Sequence, residues 1–132
     1  MPVVKTHLLS GRSIDEKRAI GDAVHAALFD VLEIPNAAVF QLFTEYSEAN
    51  FGHNLGSNPD DPYPSPQFLY IEFLFFEGEG RDDETKQVFK QALNADLVAK
   101  DLIHTEDLFV IIIEVPRANM GNGGPAEARR PG

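Results

Sequence analysis

The sequence predicts an α/β protein in which two tandem β-α-β units form a four-stranded sheet with both helices on one face. Three observations carry that prediction. The chain repeats itself without gaps at an offset of 69 residues, so that Gly11-Arg12 falls on Gly80-Arg81, Lys17 on Lys86, Leu28 on Leu97, Glu45 on Glu114 and Asn50-Phe51-Gly52 on Asn119-Met120-Gly121. Each copy runs in the same order: apolar strand pattern, Gly-Arg turn, amphipathic stretch, second apolar strand pattern. Between the copies, Tyr46 to Pro66 carries Gly52, Gly56, Pro59, Pro62, Pro64 and Pro66, too many breakers for regular structure. One domain of 132 residues therefore contains repeats at 2–52 and 67–121, followed by a tail from Gly121 expected to be mobile.

The elements follow in turn. Val3 to Leu9 starts with near-alternation, Val4 and Thr6 on one side and Val3, Lys5 and His7 on the other, and reads as a strand. Ser13-Ile14-Asp15-Glu16 has capping-box spacing, because the serine hydroxyl can accept from the amide three residues on while the glutamate reaches back. A helix starts there, with Ile20, Val24, Ala27, Leu28, Val31 and Leu32 as its apolar stripe, and ends near Ile34-Pro35. Val39 to Glu45 is the next strand. In the second copy Gln67 to Phe76 is a strand, Gly78 to Arg81 a turn, Asp82-Asp83-Glu84 an acidic helix start suited to the positive end of the helix dipole, and Leu108 to Val115 the last strand. The helix in each copy is long enough to return the chain, so the flanking strands can run parallel. Phe68 to Phe76 and Val110 to Ile113 are apolar on both faces of the pleat, and two helices cover only one face; oligomerisation through the other face follows.

Composition excludes several classes of function. With no cysteine there is no thiolate nucleophile, disulfide framework or thiolate metal site, and the four histidines, His7, His25, His53 and His104, show no ligand spacing. A formal net charge of −10 opposes non-specific nucleic-acid binding. No apolar run approaches membrane-spanning length and no signal core is present, so a cytoplasmic protein that engages neither membrane nor nucleic acid is expected.

Pro2 breaks the repeat, since its counterpart is Ile71. Once Met1 is removed, Pro2 is a secondary amine able to act as a base; free α-amino groups titrate near pKa 8, and burial beside arginines would lower that, leaving a neutral base near pH 7. Proline is also tolerated as the first residue of a strand, so Pro2 alone has a purely structural reading. Arg12 and Arg81 each follow glycine at a strand-to-helix turn, where a guanidinium can hold a carboxylate through two parallel hydrogen bonds and stabilise a developing enolate, or simply be solvated.

Pro2 through Ser13, Phe43-Thr44-Glu45 and Asn50-Phe51-Gly52 closely resemble 4-oxalocrotonate tautomerase. Glu79-Gly80-Arg81 and Glu114-Val115-Pro116 resemble its fused relatives, cis-3-chloroacrylic acid dehalogenase and malonate semialdehyde decarboxylase. The resemblance implies a tautomerase/MIF-like fold, a homotrimer with its sheets facing inward, and a cofactor-free site. In that site Pro2 and Glu114 would be catalytic, with Arg12, Arg81 and Phe51 binding a small keto-acid or other carboxylate substrate. Phe51 would keep the pocket apolar and Glu114 would position water. Each has a plainer reading, Phe51 as a core or interface aromatic and Glu114 as a paired strand-end carboxylate, since Glu45 ends the same strand in the other copy. The chain departs from the family pattern at Phe40, in place of a second tautomerase arginine, at Ala38, in place of the decarboxylase aspartate, and at Gly78 and Leu28, in place of the dehalogenase's second arginine and histidine. Keto–enol isomerisation is the leading expectation; hydration, dehalogenation or decarboxylation of a three-carbon acid, or a non-catalytic trimeric binding scaffold, are the alternatives.

Overall fold

The computed structural model describes residues 2–52 and 65–124. Met1, His53 and the tail arginines Arg129 and Arg130 lie outside the described residues, as do most of the connection and the end of the tail. The order is β1 (Val3–Leu9), α1 (Ile14–Leu32), β2 (Phe40–Tyr46), β3 (Leu69–Phe76), α2 (Asp83–Ala99) and β4 (Leu108–Val115), with 3-10 turns at Asn36–Ala38, Glu48–Asn50, Thr105–Asp107 and Arg117–Asn119. Both helices and both pairs of 3-10 turns start at positions separated by the repeat offset, so the sequence repeat is a structural one.

The sheet order is β2-β1-β3-β4, with β1 parallel to β2, β3 parallel to β4, and β1 antiparallel to β3. In the central antiparallel pair Val4 stands opposite Phe73, its own repeat mate. A local two-fold axis therefore passes between these two residues and relates the copies. The capping box at the start of α1 forms as the spacing predicts: the Ser13 hydroxyl accepts from Glu16 N at 3.1 Å and the Glu16 carboxylate accepts from Ser13 N at 3.5 Å. Asp82 caps α2, accepting from Thr85 N at 2.8 Å, and those hydrogen bonds hold its carboxyl below the usual carboxylate range.

Several boundaries differ from the sequence expectation; β2 runs from Phe40 to Tyr46 rather than from Val39 to Glu45. β3 begins at Leu69 rather than Gln67, because Phe68 N donates to Ser65 O at 3.1 Å and closes a turn there. The Glu48–Asn50 turn falls inside the stretch expected to lack regular structure, and Asn50 N donating to Ser47 O at 3.0 Å accounts for it.

The core lies between the helices and one face of the sheet. Val4 and Leu8 from β1, Ile71, Phe73 and Phe75 from β3, Ile20, Val24 and Leu28 from α1, and Phe89, Leu93 and Leu97 from α2 are almost completely buried. Burial of such side chains contributes about 1.5–3 kcal/mol each and is the main stabilising term. The opposite sheet face carries no helix: Phe40, Leu42, Phe109 and Ile113 remain exposed on it. In its middle sits a polar group, with His7 Nδ1 2.6 Å from the Tyr46 hydroxyl, His7 Nε2 3.5 Å from Glu72, and the Tyr70 hydroxyl donating to Glu72 at 3.1 Å. Partial desolvation and the neighbouring Glu72 carboxylate raise the Tyr70 pKa. Among the described residues no helix is long and apolar enough to cross a membrane.

Candidate active site

Pro2 stands where β1 begins. Its carbonyl accepts from Phe40 N at 3.0 Å, the bond that starts the parallel ladder, while its missing N–H costs nothing at a strand start. The end of α1 wraps past the same point. Glu33 takes the left-handed conformation (φ 58°), and Ile34 N reaches back to Leu28 O at 3.1 Å, which turns the chain sharply into Pro35. Because β3 runs antiparallel to β1, its C-terminal end arrives at this place from the other copy.

Pro2, Glu33, Ile34 and Pro35 from the first copy and Phe76, Glu79 and Arg81 from the second line one cavity of about 180 Å³. Arg81 is held tightly in its wall. Its Nη2 donates to Phe76 O, its Cζ lies 4.4 Å above the Phe75 ring, and the side chain is only 7% exposed. Its buried Nε has no hydrogen-bond partner among the described residues.

Glu114 stands behind Arg81, 3.4 Å from Nη2, and accepts from Lys86 Nζ at 2.6 Å. The Lys86 hydrogen bond, with the charges of Lys86 and Arg81, lowers its pKa, against partial desolvation, which acts in the opposite sense. The repeat mates Lys17 and Glu45 form the same pair at 2.5 Å. The Lys–Glu pair is thus common to both copies, and among the described residues the contact to the preceding arginine is seen only at Glu114.

Arg12 and Phe51 are elsewhere. Both lie beyond the C-terminal end of β1, about 20 Å along the strand from Pro2 by its rise per residue. Arg12 donates to Gln67 O at 2.9 Å and Leu102 O at 2.8 Å and pairs with Glu16 at 3.2 Å, so within the chain it ties the first turn to backbone of the second copy. Leu102, whose carbonyl accepts from Arg12, is the repeat mate of Glu33, which lines the cavity beside Arg81. Phe51 stacks on Tyr46 with ring centroids 5.4 Å apart and contacts Phe68.

The structure therefore brings Pro2 and Arg81 together, sets Glu114 behind them, and places Arg12 and Phe51 at the other end of β1. Sequence reasoning missed the roles of Glu33, Phe76 and Glu79 in the cavity wall. The two-faced apolar run ending at Phe76 was the signal for one of them. Among the described residues no group of three or more histidine, aspartate or glutamate side chains is placed to hold a metal ion.

Comparison with known proteins agrees with this architecture. A family model described as tautomerase enzyme matches residues 2–54. The chain is similar to the probable tautomerase YusQ of Bacillus subtilis (strain 168), 22% identical over 117 residues and 85% of each chain. It is 30% identical to FG41 malonate semialdehyde decarboxylase, whose structure was solved with 3-bromopropiolate as inhibitor, across 92% of this chain and 91% of that one with a TM-score of 0.74. A fused 4-OT described as a wild-type asymmetric trimer shares the fold at 21% identity and a TM-score of 0.75, over 96% of this chain and 99% of that one. With the duplicated β-α-β architecture, the match over the first copy and a 30% identical relative aligned over nearly its whole length, the chain belongs to the tautomerase superfamily.

Proposed function

We propose that the chain is a cofactor-free tautomerase that interconverts the keto and enol forms of a small keto acid, with Pro2 as the base. The observation that carries this reading is the cavity shared by Pro2 and Arg81. With Met1 removed, the Pro2 nitrogen accepts a proton from the carbon next to the substrate carbonyl and returns it at the other end of the enol system. Arg81, fixed over Phe75 in the cavity wall, donates to the substrate carboxylate or to the enolate oxygen as charge develops. Because its guanidinium is already oriented, little reorganisation accompanies the reaction.

The uncovered sheet face supports a homotrimer like the one described for the fused 4-OT. Phe40, Leu42, Phe109 and Ile113 are about half exposed on that face, and removing them from water favours association. Arg12 and Phe51, at the other end of β1, do not line this cavity within the chain.

A second reading has its own support. The 30% identical relative is a malonate semialdehyde decarboxylase, and Glu114 lies beside Arg81 as a water-positioning carboxylate would. Assaying protein that begins at Pro2 with enol phenylpyruvate and with malonate semialdehyde separates the two. Ketonisation lost in Arg81→Ala supports the tautomerase; turnover of the semialdehyde alone replaces it with the decarboxylase.

A further inference from the structure

The rim of the cavity holds a carboxylate between two arginines. Glu79 Oε1 is 3.8 Å from Arg81 Nη2 and Glu79 Oε2 is 4.0 Å from Arg117 Nη2. The two guanidinium groups rest on consecutive aromatic residues of β3, Arg81 at 4.4 Å above Phe75 and Arg117 at 4.9 Å above Phe76. Both distances to Glu79 are too long for hydrogen bonds, so the carboxylate is attracted to both cations without being locked to either. Arg81 keeps its place through Phe76 O, the Phe75 ring and Glu114 whether or not Glu79 is near.

Glu79 also has open space on both sides. It lies between Gly78 (φ +80°) and Gly80 (φ +77°), and a Cβ at either glycine would meet nothing within 4 Å. In the first copy the equivalent turn reads Leu9-Ser10-Gly11, and the repeat mate of Arg117 is Glu48. The constellation therefore exists only at the end of the sheet where Pro2 lies.

We propose that Glu79 is the resting occupant of the place where the cavity receives a substrate carboxylate, and that Arg81 and Arg117 are the cations an incoming acid takes over from it. This rests on the reading of the cavity as a keto-acid site. Arg117 reaches this place from the segment after β4. A carboxylic acid must displace Glu79 and can form the paired, parallel hydrogen bonds that Glu79 does not make, whereas a neutral carbonyl compound has nothing to displace. Glu79 thereby sets which ligands enter the site, and Arg117, 68% exposed in its resting position, closes over the one that does.

The test is calorimetric titration of the full chain, beginning at Pro2, with pyruvate and with methyl pyruvate as probes. Glu79→Gln should tighten pyruvate by about three- to fivefold and leave methyl pyruvate unchanged. Arg117→Ala should weaken pyruvate by a similar factor, in the Glu79→Gln background as well. The proposal is overturned if Glu79→Gln leaves pyruvate affinity unchanged or lower, if acid and ester shift together, or if neither wild type nor Glu79→Gln binds pyruvate. Tighter pyruvate binding in Glu79→Gln without any ketonisation of enol phenylpyruvate would uphold this proposal and end the tautomerase reading. Ketonisation with no response to Glu79→Gln would do the reverse.

Discussion

Lys86 holds Glu114 at 2.6 Å on the helix-covered side of the sheet, and the lowered pKa of Glu114 makes this pair a pH-dependent source of stability. A carboxyl whose folded-state pKa is depressed stabilises the fold above its unfolded pKa, about 4.3, and that contribution disappears as pH falls through the folded value. Glu114→Gln is therefore expected to be about 1 kcal/mol less stable than wild type at pH 7, with the gap closing below pH 4. Urea titration at fixed protein concentration across this range measures it. A gap independent of pH would show that the pair does not contribute through charge. The same variant should reduce ketonisation less than tenfold while removing any hydration activity.

Arg12 and Arg81 should separate in their effects. Arg81→Ala removes the donor beside Pro2 and should lower kcat/KM for an enol keto acid by about 2–4 kcal/mol of transition-state stabilisation. Arg12→Ala removes bonds to Gln67 O and Leu102 O and should lower stability by about 1.5–3 kcal/mol. Steady-state kinetics and denaturant midpoints on both variants decide; interchangeable profiles would contradict the assignment of the two arginines.

The proposed base exists only when Pro2 begins the chain. Intact-mass measurement of protein from its own host should show Met1 removed, and the pH–rate profile should rise through an apparent pKa at or below about 8. Pro2→Ala leaves a primary amine of similar strength but different placement, so the rate should fall without vanishing. Retention of Met1 in the host protein would remove the base and with it the tautomerase mechanism.

Assembly through the uncovered sheet face should give a homotrimer by sedimentation at micromolar concentration. Phe109→Arg places a charge amid that face and should shift the protein to monomer while leaving the helix-covered core intact, as read by circular dichroism. A stable wild-type monomer would contradict the proposed assembly.

The fold was legible because its signals are local. Ser13 and Glu16 are three residues apart, the apolar stripes of both helices recur every three or four, and the repeat mates Glu45 and Glu114 mark equivalent strand ends. What escaped the sequence was contact across the copies. Arg12 finds its acceptors 55 and 90 residues away, at Gln67 and Leu102, and no local pattern distinguishes it from Arg81. Both follow glycine and both precede a helix cap. In the fold Gln67 O and Leu102 O accept hydrogen bonds from Arg12 at one end of β1, while Arg81 lines a cavity with Pro2 at the other. Glu79 was visible only as part of a motif, and its position between Arg81 and Arg117 depends on where the segment after β4 returns.

The axis between Val4 and Phe73 gives the central seam the character of a subunit contact enclosed in one polypeptide. Each half closes its own parallel strand pair, and the β1–β3 seam and the helix–helix contact are the main joins between them among the described residues, with the Arg12 hydrogen bonds to Gln67 O and Leu102 O beside them. The connecting segment then acts as a tether that keeps each half at an effective concentration on the order of millimolar around the other. Cutting that tether would turn an internal fold into a bimolecular equilibrium, with Pro2 on one fragment and Arg81 on the other, so that activity would appear only upon reassembly.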